Sequence, residues 1–155
     1  MQFRSANARE RMEAACKRLL DATQGVAVWE WDDAYAAALT TVESADQQDL
    51  LETLNAVLPH SWDHVNIKTA PERVRHVSGV WGGIMSGQRL HVLDPDTDPM
   101  LFAAWWPWGN RLKASLRVSC QARSEIVAKA DPQAILRGCF GLQPERRAAP
   151  NDRSA

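Results

Sequence analysis

Apolar residues follow two rhythms along the chain, a three- and four-residue step up to position 58 and a two-residue step from 73 to 120. The first rhythm predicts helices. Asn7, followed three residues on by Glu10, reads as a capping box. Met12, Ala15, Cys16 and Leu19 behind it share one helical face. Gly25 releases the chain into the apolar run 26–31, which suits an edge strand or the lead into a second helix. Asp32 or Asp33 caps that second helix, with Tyr35, Ala38, Leu39 and Val42 inward. Over 46–58 Asp46 caps a third helix, Asp49 sits near its positive end, and Pro59 stops it. Leu50, Leu51, Leu54, Val57 and Leu58 form its buried face.

The second rhythm predicts strands over 73–81, 87–93, 100–106 and 112–120. In the last of these Leu112, Ala114, Leu116, Val118 and Cys120 point one way. Lys113, Ser115, Arg117 and Ser119 point the other, so one sheet face is buried and one wet. Ser86-Gly87, the Pro- and Asp-rich stretch 94–99 and Pro107-Trp108-Gly109-Asn110 supply turns between consecutive strands, which implies an antiparallel meander. Ser124 caps a closing helix, Asp131-Pro132 restarts it, and Gly138 or Gly141 ends it. The expected architecture is therefore α+β, with N-terminal helices and a C-terminal helix packed on one face of a four-stranded antiparallel β-meander. One domain over 1–143 and a flexible C-terminal tail over 144–155 complete the expectation, because the tail is rich in Pro, Ala and charge without apolar period.

Composition agrees with a globular domain, since 45% of the 155 residues are hydrophobic and 24% charged. No apolar run approaches the roughly 18 to 20 residues of a membrane span, and the polar start lacks a signal peptide's apolar stretch. A cytoplasmic protein without membrane association is expected. Cys16, Cys120 and Cys139 are odd in number and widely spaced, which favours free buried thiols over a disulfide framework.

Candidate chemistry is sparse. His60 and His64 flank Asp63 four residues apart, but Pro59 breaks the helix that a metal pair at this spacing needs, and no third ligand follows. Asp94, Asp96 and Asp98 imitate the start of a calcium loop, yet Pro99 and Trp105 stand where that loop needs glycine and glutamate. No nucleophile elbow, P-loop or dinucleotide fingerprint is present, and Cys139 reads as packing beside Phe140. No catalytic residue, metal or cofactor is assigned, and a non-enzymatic role is favoured.

Two features point outward. Seven tryptophans stand against one tyrosine and three phenylalanines, and Trp105 and Trp106 must face opposite sides of a strand. Between Leu19 and Ile67 there is no lysine or arginine but nine acids, while from Arg111 onward nine bases face four acids, a formal +5. Either these regions fold together and neutralise, or the acids form a helical face that docks a basic partner. The favoured expectation is a small inhibitor or adaptor that holds a basic protein surface through Asp32, Asp33, Glu43, Asp49, Glu52, Trp105, Trp106 and Trp108. That reading requires the five acids to share one surface and not to be paired with the basic C-terminal half. A Trp-lined small-molecule or carbohydrate pocket, with or without hydrolytic activity, near His60, His64 or His91 is the alternative. Nucleic-acid binding is disfavoured by the acidic half and left only to a sheet face bearing Lys113 and Arg117.

Overall fold

The computed structural model describes residues 2–142. The expected flexible tail at 144–155 lies outside the described residues. The chain is α+β, and among the described residues five α-helices and one six-stranded antiparallel sheet are formed. Strands β1 (Trp29–Asp32), β2 (Ala37–Glu43), β3 (His60–Trp62), β4 (Arg89–Val92), β5 (Met100–Pro107) and β6 (Lys113–Gln121) lie in the order β1-β2-β6-β5-β4-β3. Only β4, β5 and β6 form the expected meander. The pairing of β2 with β6, with Thr40 opposite Leu116, adds a second hairpin that no local turn announces.

The helices are α1 (Gln2–Thr23), α2 (Ser44–Val57), α3 (Glu72–Val80), α4 (Glu125–Lys129) and α5 (Pro132–Cys139). Asn7 lies inside α1 rather than at its cap. Helix α2 starts two residues before Asp46, so this carboxylate occupies the first turn, where the helix dipole still favours it. Ser124 accepts from the Val127 amide and Asp131 from the Ala134 amide, with Pro132 in the first turn of α5. Those two caps are where the sequence places them.

Two segments depart from their sequence pattern. The expected second helix is the β1–β2 hairpin, because Thr40, Thr41 and Val42 are β-branched and Ala38, Thr40 and Val42 alternate inward. Its turn is built by Asp32, whose carboxylate accepts from the Ala34 amide, and by Ala36 in a left-handed conformation. The expected strand over 73–81 is instead α3. Pro71 and Glu72 open it as helix-start residues, and Val74, Val77 and Ser78 form one buried stripe at helical spacing.

These departures change the layering. Helices α1, α2 and α5 cover one sheet face, where Met12, Leu19, Leu54 and Leu136 pack on Val42, Leu101, Leu116 and Val118. On the opposite face α3 covers only the β3–β4–β5 half, with Val74 and Val77 on Leu90, Val92, Met100 and Phe102. Helices therefore lie on both faces, not one. Among the described residues no helix lies over the β1–β2–β6 half of the second face. Arg73 fixes the covered half by joining α3 to two other elements. Its guanidinium, nearly buried, donates to the Gln121 side chain and carbonyl at 2.9 Å each and to the Thr97 carbonyl, and lies 3.5 Å from Asp98.

Candidate interaction face

Along β1, β2 and β6 the residues that point away from the helices are Glu30 and Asp32, then Leu39, Thr41 and Glu43, then Lys113, Ser115 and Arg117. Trp106 of β5 and Trp108 just after it complete this open face. Arg117 Nε donates to Asp32 Oδ2 at 2.8 Å, with both side chains less than a fifth exposed. The same guanidinium stacks 4.5 Å from the Trp106 ring centre and 5.0 Å from that of Tyr35. Beside it Lys113 Nζ lies 3.6 Å from Glu43 and 5.4 Å from the Trp108 ring centre. The Trp108 indole N–H donates to Ser115 Oγ at 2.9 Å. Two carboxylate–cation–indole triads thus stand side by side.

The stacking has a physical origin. A planar guanidinium held by a carboxylate can present its faces to aromatic rings, and the negative faces of those rings stabilise the cation further. Both triads join the acidic stretch to the basic C-terminal half, so part of the charge segregation in the sequence is neutralised across the β2–β6 pairing. Toward the sheet edge the face opens into a shallow groove of about 600 Å³ along Val28, Glu30, Leu39 and Glu43. Val28 is 86% exposed, Leu112 60% and Trp108 44%, a concentration of apolar surface around the triads.

Of the eight residues singled out by sequence, Asp32, Glu43, Trp106 and Trp108 come together on this open face, and Asp33 sits at the adjoining turn. Asp49 and Glu52 are exposed on α2, in the helical layer on the other side of the sheet. The five acids therefore do not share one surface, and Asp32 and Glu43 are paired with Arg117 and Lys113 of the basic half, so the acidic helical docking face expected from the sequence is not formed. Trp105 is 3% exposed in the helix-covered core, because its strand neighbour Trp106 takes the open side. Trp29 and Trp31 share the helical side as an extended run requires, with Trp29 4.4 Å from Phe140 and Trp31 under Arg137 at 4.7 Å. Sequence reasoning placed Arg117 on the wet face of β6 but missed Tyr35 as a member of the face and missed that Asp32 pairs with Arg117. The run of β-branched residues at 40–42 was the available signal, since a hairpin there brings β1 and β2 beside the wet side of β6.

The other candidates have structural partners. Asp94 pairs with Arg11 at 3.0 Å and caps its own turn through the Asp96 amide, and Asp98 accepts from the Arg123 and Ser124 amides. His60 lies on β3 and His64 in the following turn. Among the described residues no cluster of three His, Cys, Asp or Glu side chains could hold a metal ion, and no helix is long and apolar enough to cross a membrane. Compared with protein-family models, curated proteins and solved structures, the chain shows no significant match.

Proposed function

We propose that the protein is a non-enzymatic protein-binding module, an inhibitor or adaptor, whose open sheet face holds a partner with a basic surface. The observation that carries this reading is the paired set of triads on that face. Tryptophan, tyrosine and arginine are the residues most enriched at binding hot spots, and here Trp106, Tyr35 and Arg117 are held in fixed mutual contact before any partner arrives. Charge favours a basic partner. Glu30, Asp32 and Glu43 stand against Lys113 and Arg117, which leaves one acid in excess on the strands, while Asp33 at the β1–β2 turn is offset by Arg111 at the β5–β6 turn. Because Lys113 and Arg117 are already neutralised by carboxylates, the face offers little to a phosphate backbone.

Affinity capture from the native host with two variant pairs tests this reading. Val28→Glu with Trp108→Ala alters exposed positions on the open face, whereas Asp49→Asn with Glu52→Gln alters the helical acids. The same partner should be lost with the first pair and kept with the second, since a hot-spot tryptophan contributes about 2 kcal/mol, roughly 30-fold in Kd. Retention by the first pair, or loss with the second, contradicts the proposal.

A further inference from the structure

Beyond the docking face, a second concavity lies where the N-terminal end of α5 and the β1–β2 turn approach α3. It encloses about 240 Å³. Its walls are aromatic. Trp81 stands 4.8 Å from Tyr35 and 5.1 Å from Phe102 between ring centres, and His76 sits at the mouth. Among the described residues no Asp, Glu, Lys or Arg lines it, so it suits an uncharged ligand. The volume falls below the roughly 300 to 1,000 Å³ of pockets for drug-sized molecules, which points to a single ring.

Two glutamines give this cleft a polar edge. Arg73 Nε donates to Gln121 Oε1 at 2.9 Å. A guanidinium can only donate, so the amide orientation is dictated, and the Gln121 NH2 is left as a donor. Gln133 Nε2 donates to the Cys120 carbonyl at 3.2 Å, and a carbonyl can only accept, so the Gln133 oxygen is left as an acceptor. Neither remaining group has a hydrogen-bond partner among the described residues. The partners that orient them are buried, Arg73 at 8% and Cys120 at 4% exposure. Both glutamines line the cleft together with the aromatic wall.

We infer that this cleft binds a small neutral planar ring bearing a carboxamide-like edge, an acceptor beside a donor, as in nicotinamide or a free nucleobase. The ring would lie against Trp81 and Tyr35, its carbonyl or ring nitrogen would accept from Gln121, and its N–H would donate to Gln133. No partner protein is needed, and the cleft shares Tyr35 with the docking face.

The test is a nitrogen-15 chemical-shift titration of the full chain with nicotinamide, adenine and cytosine as probes. Toluene, which keeps a ring and lacks the edge, serves as the control. At least one probe should move the resonances of Tyr35, His76, Trp81 and Gln133 saturably, and toluene should bind that site more weakly. In Gln121→Glu the acceptor for Arg73 is kept and the donor is removed. That variant should retain the native spectrum elsewhere and bind the probe about 3- to 10-fold more weakly, as expected for one lost hydrogen bond. Absence of any cleft shift with all three probes at roughly 10 mM, a concentration that would reveal even millimolar affinity, overturns the inference. So does equal affinity in Gln121→Glu.

Discussion

His91 offers a sharp physical test of the fold. It lies on β4 opposite Ala103, with its side chain turned toward the helical layer. It is fully buried, and neither ring nitrogen makes a hydrogen bond. Burial lowers its pKa from 6.5 to about 4, and the charge of Arg89 pushes the same way. The folded protein therefore keeps the ring neutral where the unfolded chain protonates it. Below pH 6.5 the unfolded state binds more protons, so stability is full above that value and falls as pH drops toward 4. At about 1.4 kcal/mol per pH unit the loss reaches roughly 2 kcal/mol at pH 5 and roughly 3 kcal/mol at pH 4. Urea denaturation at pH 7 and pH 5 reads it directly, as a midpoint lower by about 1 M at the acid end, given a slope near 2 kcal/mol/M. In His91→Leu, which removes the titrating ring and both unpaired nitrogens, the dependence between pH 7 and pH 5 should flatten. An equal slope in wild type and variant refutes the reasoning.

Arg117→Leu alone leaves Asp32, less than a fifth exposed, without its cation and should destabilise by roughly 2 kcal/mol, whereas adding Asp32→Asn, which removes the charge and keeps an oxygen to accept from the Ala34 amide, should recover most of that loss in the same urea measurement. Double-mutant recovery below a quarter of the single loss contradicts the ion-pair account. Among the thiols, Cys139 is partly exposed and its pKa is lowered by the hydrogen bond from Cys16. That same bond, together with burial, raises Cys16, and burial pushes Cys120 up to about 12. Iodoacetamide at neutral pH should therefore label Cys139 first, with Cys16 and Cys120 following only on unfolding, as peptide mass analysis can show. Labelling of Cys120 ahead of Cys139 contradicts this ordering.

How much of this was readable from the chain depends on how local each cause is. The alternation of Ala114, Leu116, Val118 and Cys120 with Lys113, Ser115, Arg117 and Ser119 identifies β6, because its two faces meet different environments. The caps at Ser124 and Asp131 are equally local. Residues 35–42 mislead because Tyr35, Ala38, Leu39 and Val42 imitate a helical stripe although they do not share a face. Tyr35 belongs to the turn and lies over Arg117, while Ala38 and Val42 enter the core. The stretch 73–80 misleads in the opposite sense. Its valines suit a strand, but Arg73 is drawn inward by carbonyls and amides from loops far along the sequence. The open face was half legible. Trp106 had to lie opposite Trp105, and the acids had to find bases or a partner, yet Asp32 and Arg117 stand 85 positions apart, and only the β2–β6 pairing unites them. The donor–acceptor edge of Gln121 and Gln133 leaves no sequence signal, because it depends on which atoms their neighbours occupy.

The central claim is that a partner covers the open half of the sheet, and hydroxyl-radical footprinting of the captured complex against the free protein addresses it most directly. Oxidation should fall at Val28, Leu39, Trp106 and Trp108 and stay unchanged at Leu51, the partly exposed leucine of α2. Protection confined to α2, or unchanged oxidation of Trp106 and Trp108 in the complex, would contradict the account.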